Sequence, residues 1–301
     1  MRPIAEAYKD FPILHKEHNG HRVIYLDSGA TAQIPQSVID RVVEHMTQRN
    51  GNPHRGSHIL AIEASEDYEN ARDRVVEFIN AREREEVIFT RNSTESMNLI
   101  AHSYGLHNVK KGDKIVITVA EHHANLVTWQ YVAEQTGATL EYMYLDEHGH
   151  LKDGEINKID EKTKIVAFAH VSNVLGMEFP VKELTEKAHS VGAIVVLDGA
   201  QSTPHKKIDV QALDCDFFVF SGHKMCASQG IGVLYGKRDL LETMPPFLLG
   251  GDMIEYVKEQ TATFNELPYK FEAGTPNADG AVSLHAAIED RKSTRLNSSH
   301  M

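Results

Sequence analysis

The chain of 301 residues has few of the features that mark secreted, membrane-bound or nucleic-acid-binding proteins. It has only two cysteines, Cys215 and Cys226, with no C-x-x-C spacing, which argues against a disulfide scaffold or zinc ribbon and fits a reducing, cytoplasmic compartment. No apolar run approaches the roughly 20 residues of a membrane-spanning helix, and no signal-peptide core follows Met1. With 31 lysines and arginines against 43 aspartates and glutamates, the net charge is −12. We therefore expect neither a membrane nor nucleic acid as a partner.

Several sequence signatures of enzymes are also missing. No G-x-G-x-x-G follows a predicted strand and no G-x-x-x-x-G-K-[ST] occurs, so dinucleotide-binding and P-loop folds lack their required loops. The G-x-S-x-G elbow of many hydrolases is absent. None of the 18 histidines belongs to an H-E-x-x-H motif, and the adjacent His122 and His123 would diverge by about 100° on a helix. The sequence predicts no metal site.

What the chain does contain is an alternation of short apolar runs and amphipathic helical stretches. Several runs are apolar at consecutive positions, as in strands covered on both faces. The helices are predicted at Ala61–Ile79, from about Ser93, at Asn125–Thr136 and at Val181–Val191. This alternation predicts an α/β domain with a mainly parallel sheet. The predicted strands are Glu86–Thr90, Lys114–Val119, Leu140–Leu145, Ile165–His170, Ile194–Leu197, Phe217–Phe220 and Gly232–Tyr235.

Polar residues cluster directly after five of these strands. In such sheets, ligands bind beyond the carboxyl ends of the strands, and a structural role alone would not require five polar clusters at one edge. We therefore expect the site there. The clusters are Asn92–Ser96, Glu121–Asn125, His170–Asn173, Asp198–Gln201 and Ser221–Lys224.

Two of the clusters suit the chemistry of an aldehyde cofactor. A lysine held away from water at Lys224 would have a lowered pKa, and its free amine could form a Schiff base, although an ordinary loop lysine is solvated. Asp198 could pair with a pyridinium nitrogen so that the ring serves as an electron sink. A helix N-cap explains this aspartate equally well. Gln201 could donate a hydrogen bond to a phenolate oxygen of the same ring.

Two further clusters would complete such a site. Ser93 and Thr94 begin a predicted helix, and their hydroxyls together with the positive end of that helix suit a phosphate. A role of these residues as the helix N-cap is compatible with phosphate binding. The planar imidazole of His122 could stack on a planar cofactor. We expect His123 to be structural.

Together the clusters resemble a known family. Ser221-Gly-His-Lys224 after Asp198-Gly-Ala-Gln201 resembles the fold-type I enzymes that use pyridoxal phosphate (PLP), in the class V aminotransferase branch. Within that branch the chain looks like the group II cysteine desulfurases of the Suf type, which are close to selenocysteine lyases. The resemblance covers nearly all of residues 1–290. Further supporting strings are Tyr25-Leu-Asp-Ser28, His54-Arg-Gly-Ser-His58, Glu121-His-His-Ala-Asn125, His170-Val-Ser-Asn-Val-Leu-Gly176, Ala212-Leu-Asp-Cys-Asp216 and Phe271-Glu-Ala-Gly-Thr-Pro276.

The resemblance implies a domain arrangement. Residues 1–22 would be an N-terminal segment on the small-domain side, and residues 23–290 the PLP-binding large domain with a seven-stranded sheet. The small C-terminal domain would be mostly missing. Residues 291–301 turn polar and basic in the middle of a helical pattern, so we expect an artefactual tail there.

The resemblance also implies a role for each candidate residue. Lys224 would bind the cofactor covalently and move protons, Asp198 would bind the ring nitrogen, and Gln201 would lie on the ring-hydroxyl side. His122 would stack on the ring, and Asn173 would lie near the substrate and a ring oxygen. The phosphate would be held by Ser93, Thr94, Ser221 and His223, with Thr275 from the other subunit of a homodimer, and His54 and Arg55 would lie near the active-site mouth.

The implied reaction converts L-cysteine to L-alanine and passes sulfur to an enzyme cysteine as a persulfide, then to an acceptor protein for iron–sulfur cluster assembly. The family's persulfide cysteine and substrate-binding arginine have no counterpart here. Cys215 precedes a buried strand, and Cys226 does not match the persulfide position, so we expect PLP binding but little sulfide release. A selenocysteine lyase, another class V enzyme such as an epimerase, and a non-catalytic dimerising scaffold remain alternatives.

The turn after the lysine departs from the family pattern. Where the family has a Gly-Pro-containing turn, this chain has Ala227-Ser-Gln-Gly230. If position 227 requires a positive φ, alanine there introduces strain of about 1 kcal/mol or more.

Overall fold

The computed structural model of the protein describes residues 4–295, which form two units. The first unit comprises residues 4–78, 221–231 and 275–295, and the second comprises residues 79–220 and 232–274. The division into residues 1–22, 23–290 and 291–301 stays a prediction. Residues 1–3 and 296–301 lie outside the described residues.

Strands and helices alternate along the described chain as the pattern of apolar runs predicts. In chain order the strands are β1 Glu17–His18, β2 His21–Arg22, β3 Val87–Thr90, β4 Lys114–Thr118, β5 Thr139–Met143, β6 Thr163–Ala169, β7 Ile194–Asp198, β8 Phe217–Ser221, β9 Gly232–Gly236, β10 Ile254–Val257 and β11 Ala262–Phe264. The α-helices are α1 Gln36–Glu44, α2 Ile59–Ile79, α3 Ser93–Ile100, α4 Leu106–Asn108, α5 His123–Thr136, α6 Val181–Ser190, α7 Val210–Leu213, α8 Arg238–Thr243 and α9 Ala278–Arg295. Shorter 3-10 and π-helical segments are Ile4–Asp10, Pro12–His15, His45–Arg49, Arg84–Glu86, Ala101–Gly105, Glu155–Lys158, Gly222–Met225 and Tyr269–Phe271.

The predicted mainly parallel sheet of seven strands is confirmed. Its spatial order is β3-β9-β8-β7-β6-β4-β5, and each predicted strand overlaps one of these. β4 pairs in parallel with β5 and β6, β6 with β7, and β7 with β8, whereas β3 and β9 are antiparallel. All residues of β7 and β8 are buried, which explains why these two strands carry almost no polar side chain before their last residue.

Helices α3 and α5 contribute to the hydrophobic core beside this sheet. Trp129 of α5 and Met97 of α3 are fully buried in the same cluster as Ile117 and Val196 from the strands. The predicted end of α5 is confirmed, because Gly137 follows it in the left-handed conformation with φ 72°. Burial of this apolar surface fixes the strands that precede the polar clusters.

The C-terminal helix extends further than its apolar pattern. α9 continues to Arg295, past Asp290, where the sequence turns polar. Arginine and lysine have high helix propensity, so the loss of an apolar face does not by itself end a helix. The predicted tail therefore begins inside α9.

Substitution of Gly232 tests how closely two backbones approach at the edge of the sheet. Gly232 pairs with Thr90 of β3, and a Cβ at position 232 would lie 2.5 Å from the Cα of Asn92. Because backbone atoms cannot move aside as a flexible side chain can, we expect Gly232→Ala to lower the free energy of unfolding by about 1–3 kcal/mol. Urea denaturation measures this change.

Gly29→Ala is the matched control. A Cβ at Gly29 would have no heavy atom within 4 Å, and Gly29 does not have a positive φ. We expect its free energy of unfolding to stay within about 0.5 kcal/mol of the unsubstituted protein. Equal losses in the two variants would contradict the steric explanation.

Candidate active site

The N-terminus of α3 is the positive end of the helix dipole. The side chain of Asn92 caps the helix, since its Oδ1 accepts a hydrogen bond from the backbone N–H of Glu95 at 2.9 Å. Ser93 and Thr94 lie in the first turn, where the backbone N–H groups point out of the helix, and Thr94 is exposed. The predicted helix start is confirmed, but the N-cap is Asn92, so the N-cap role considered for Ser93 and Thr94 is wrong. Hydroxyls and N–H groups at this end suit an anion.

His122 lies between β4 and α5 and caps the helix with its own ring. Its Nδ1 accepts a hydrogen bond from the backbone N–H of Ala124 at 3.1 Å. An accepting nitrogen carries no proton, so the ring is neutral and its proton is on Nε2. The cap also fixes the orientation of the imidazole. A neutral ring of fixed orientation suits stacking on another planar ring.

Glu121, which the sequence-based assignment of roles omitted, has an extensive network of hydrogen bonds. Its Oε1 accepts from Thr118 Oγ1 at 2.5 Å and its Oε2 from Asn125 Nδ2 at 2.6 Å. Trp129 Nε1 in turn donates to Asn125 Oδ1 at 2.8 Å. Burial, reinforced by the charge of Asp198, raises the pKa of Glu121 to about 8 despite the donated hydrogen bonds. The signal in the sequence is a glutamate directly after a buried strand.

Asp198 ends β7 and is only 6% exposed. Its Oδ1 accepts a hydrogen bond from the backbone N–H of Ala200 at 2.9 Å, which closes a turn. No α-helix begins there, because the next described helix, α7, starts at Val210. The helix N-cap alternative for Asp198 is therefore wrong.

Tight packing of the following residue holds Asp198 in place. Gly199 N donates to Val219 O at 2.8 Å, and a Cβ at position 199 would lie 2.0 Å from the ring of Phe218. Only glycine fits so close to this ring. Gln201, in the same turn, is half-buried.

Asn173 follows β6, the neighbour of β7 in the sheet. Its loop is shaped by Ser172, whose Oγ accepts from the N–H groups of Val174 at 3.3 Å and Leu175 at 3.2 Å. Asn173 is exposed at the surface of this loop. Because β4, β6 and β7 run parallel and side by side, the residues that follow them share one edge of the sheet. This is the arrangement that the clusters predict for His122, Asn173 and Asp198.

Lys224 lies in the first unit, in the 3-10 turn that follows β8. Ser221 is buried, and Lys224 is half-buried. The neighbouring His223 is held by Thr31, whose Oγ1 lies 3.0 Å from His223 Nδ1, and its carbonyl oxygen accepts from Ala32 N at 2.9 Å. Burial and the charge of Lys224 lower the pKa of His223. Its imidazole is therefore neutral at neutral pH.

The turn after Lys224 places its strain at a different residue from the predicted one. Cys226 has φ 66°, whereas Ala227 does not have a positive φ. The expectation of strain at Ala227 is therefore wrong, because the left-handed position falls one residue earlier. The turn is pinned by hydrogen bonds from Ala227 N to Gly222 O at 3.1 Å and from Ser228 N to Ser283 Oγ at 2.6 Å.

The remaining candidates, Thr275, Arg55 and His54, also belong to the first unit, and Thr275 and Arg55 are exposed. His54 has φ 64°, and its Nε2 lies 3.1 Å from Glu69 Oε1. Arg72, fully buried, donates from Nε to Glu69 Oε2 at 3.0 Å. Burial alone would raise the pKa of Glu69, but the hydrogen bond with His54 and the charge of Arg72 lower it to about 2.

Comparisons with known proteins place the chain in a family. Residues 24–300 match the family pattern of Aminotransferase class-V. A protein of Halalkalibacterium halodurans named "Probable cysteine desulfurase" is 53% identical over 285 residues, which cover 94% of this chain and 70% of the relative. The chain belongs to the class-V aminotransferase family. It is a member of the cysteine desulfurase group of this family.

Solved structures of this family have the same fold. A cysteine desulfurase of Thermococcus onnurineus superposes with a TM-score of 0.92 at 40% identity, covering 99% of this chain and 72% of that protein. The cysteine desulfurase CsdA of Escherichia coli gives a TM-score of 0.89 at 39% identity, with 99% and 73% covered. The predicted α/β fold of the PLP-dependent transferases is confirmed.

The described residues contain neither a metal-binding cluster nor a membrane-spanning helix. Among residues 4–295, no group of three or more histidine, cysteine, aspartate or glutamate residues could hold a metal ion. Within the same described range, no helix is both long and apolar enough to span a membrane.

The contacts of Glu69 with His54 and Arg72 predict that the free energy of unfolding of this class-V aminotransferase falls at acid pH. A carboxyl whose pKa falls from 4.5 to about 2 on folding stabilises the protein fully above pH 4.5 and loses that effect as the pH falls through 2. Between pH 5 and 2 the unsubstituted protein should therefore lose about 3 kcal/mol more than Glu69→Gln does. Urea denaturation at several pH values measures this difference. The control Glu77→Gln, on the exposed face of α2, should leave the pH dependence of unfolding unchanged. If the free energy of unfolding of Glu69→Gln falls with pH as steeply as that of the unsubstituted protein, the lowered pKa of Glu69 is contradicted.

Proposed function

We propose that this protein is a PLP-dependent cysteine desulfurase, of the group that converts L-cysteine to L-alanine and supplies sulfur through an acceptor protein for iron–sulfur cluster assembly, and that this 301-residue chain binds PLP but transfers little sulfur. One observation carries the proposal: a buried carboxylate, Asp198, ends β7 in a chain that is 53% identical to a relative named "Probable cysteine desulfurase". A carboxylate in this position can keep the nitrogen of a pyridine ring protonated. We place the activity in the cytoplasm, where the thiols of the chain would stay reduced.

The donor set in the second unit fits this cofactor. PLP, when bound, supplies a protonated ring that withdraws electrons from the substrate. Asp198 would hold the proton on the ring nitrogen, and Gln201 would donate to the ring oxygen. The neutral ring of His122, fixed by its hydrogen bond with Ala124 N, would stack on the cofactor and exclude water from one face.

Lys224 is assigned two roles in this proposal, together with the residues around it. Its amine would hold the cofactor covalently and would carry a proton to and from the substrate carbon. A half-buried amine beside the neutral His223 loses some of the solvation that favours its charged form. The phosphate ligands would be Ser93, Thr94, Ser221 and His223, with Thr275 supplied by the second copy in a homodimer, and the substrate would contact His54, Arg55 and Asn173.

Neither cysteine of the chain suits the sulfur-transfer step. That step requires a thiolate on a mobile loop. Cys215 is fully buried, and burial raises the pKa of its thiol far above neutral pH. Cys226 ends a 3-10 turn whose next two residues are pinned by hydrogen bonds. Neither position combines a thiolate with mobility.

A Lys224→Ala variant tests the cofactor assignment. We expect the purified 301-residue protein to retain PLP after dialysis and to absorb visible light, and the variant to lose both properties. Borohydride reduction followed by peptide mapping should place the cofactor on Lys224. Lys182→Ala, at an exposed position of α6, should keep the absorbance. A label on another lysine, such as the half-buried Lys270, would contradict the proposal.

A Cys226→Ala variant tests the sulfur-transfer assignment. Because Cys226 lies in a pinned turn, we expect the 301-residue chain to release little sulfide from L-cysteine, and the variant to release the same amount within about twofold. Alanine and sulfide assays under reducing conditions measure both. A rate that is high in the unsubstituted chain and lost in the variant would make Cys226 the sulfur carrier and contradict this assignment.

A further inference from the structure

The carboxyl group of Glu121 connects three elements of the sheet edge. Thr118 at the end of β4 and Asn125 on α5 hydrogen-bond to its two oxygens at 2.5 and 2.6 Å. The backbone N–H of Ala169, the last residue of β6, also donates to it. Ala169 is the residue that pairs with Asp198 in the sheet. Glu121 therefore lies at the same edge as Asp198 and directly precedes His122.

The hydrogen bonds specify where a proton on Glu121 would lie. The indole N–H of Trp129 can only donate, so the atom of Asn125 that it contacts is the oxygen Oδ1. Asn125 therefore turns its NH₂ group towards Glu121 Oε2. A proton on Oε2 would oppose this donor. A proton on Oε1 would lie on the oxygen that is 2.5 Å from Thr118 Oγ1, and the Thr118 hydroxyl would then turn from donor to acceptor. The network has room for one proton, on Oε1.

The charged and titratable groups around Glu121 favour that proton. Asp198 at the end of β7 faces it with a negative charge. His122, on the same turn, is neutral because its Nδ1 accepts from Ala124 N, and His123 begins α5. His170, which follows β6, directs Nε2 towards Glu178. Burial lowers the pKa of His170, so neither His122 nor His170 adds a positive charge that would compensate an ionised Glu121 at neutral pH.

We propose that Glu121 is a positioning residue, a protonated carboxyl that holds the His122 turn against β4, β6 and α5 and leaves Asp198 as the single anion for the ring nitrogen of the cofactor. The part that concerns the cofactor rests on the proposed function. The protonation itself does not, because every group in the network belongs to the chain.

A coupling between the two carboxyls follows from this arrangement. If the charge of Asp198 favours the proton on Glu121, then a cation next to Asp198, such as a protonated ring nitrogen, must make Glu121 ionise more easily. Loading the cofactor would therefore lower the pKa of Glu121.

The pH dependence of unfolding tests the protonation in the cofactor-free, 301-residue chain. The pKa of Glu121 is raised from 4.5 to about 8 on folding, so its proton stabilises the folded state fully below pH 4.5. That effect is lost as the pH rises through 8. Relative to Glu121→Gln, the folded-to-unfolded ratio of the unsubstituted protein should therefore fall about tenfold per pH unit between pH 5 and 8. Glu134→Gln, an exposed residue of α5, is the matched control and should show the same fall as the unsubstituted protein.

Trp129 reports on the same network by its fluorescence. It is the only tryptophan in the chain and is linked to Glu121 through Asn125. We expect its emission to titrate near pH 8, the transition to be absent in Glu121→Gln, and its midpoint to fall by about one pH unit in Asp198→Asn. Since Asp198→Asn leaves Glu121 in place, this arm tests the proposal even if Glu121→Gln fails to fold.

The outcomes separate this proposal from the proposed function. Unfolding curves of Glu121→Gln that run parallel to those of the unsubstituted protein, or a midpoint unmoved by Asp198→Asn, would overturn the role of Glu121. If Asp198→Asn lowers the midpoint but added PLP does not, the protonated carboxyl is supported, and the placement of the cofactor ring at Asp198 is contradicted.

Discussion

Loss of solvation at Glu121, reinforced by the charge of the buried Asp198, governs the proton balance of the candidate site. Asp198 and Glu121 both lie at the edge where β4, β6 and β7 end, and burial together with the charge of Asp198 raises the pKa of Glu121 to about 8. At neutral pH the edge therefore carries one negative charge instead of two. A single anion can neutralise a single cationic ring nitrogen without leaving a second buried charge unpaired. The charges of Asp198 and Glu121 therefore match the charge of the ring nitrogen in the proposed chemistry.

Close packing explains why that carboxylate is held in one position. Asp198 is followed by Gly199, which fits against the ring of Phe218 where no side chain could. The strand that carries it is buried over its full length between β6 and β8. A site on rigid elements holds its groups more accurately than one built on loops alone. The same constraint makes the edge sensitive to single added methyl groups, as the approach of Gly232 to Asn92 shows.

The local sequence pattern was sufficient to predict the strands, the helix starts and the polar clusters. Buried runs such as 194–197 and 217–220 are apolar at every position, and Gly137 marks a helix end, because these features depend on neighbours in the chain. The hydrogen bonds of Glu121 with Thr118 and Asn125 span only three and four residues. Its contact with Ala169 and its interaction with Asp198 join strands that are distant in the chain, so the local sequence pattern does not predict its role. The cap of α3 and the left-handed residue of the turn after Lys224 were each displaced by one position, since backbone conformation there is set by contacts with other segments. The roles of the individual site residues stay predictions.

The proposed chemistry depends most on Asp198 acting as the partner of a protonated ring nitrogen, and the affinity for PLP measures this most directly. Equilibrium dialysis of PLP against the unsubstituted chain and Asp198→Asn compares a carboxylate with an amide of nearly the same shape. A hydrogen bond to a charged group contributes about 1.5–3 kcal/mol, so we expect a dissociation constant that is roughly 10 to 100 times larger in the variant. Equal dissociation constants would contradict it.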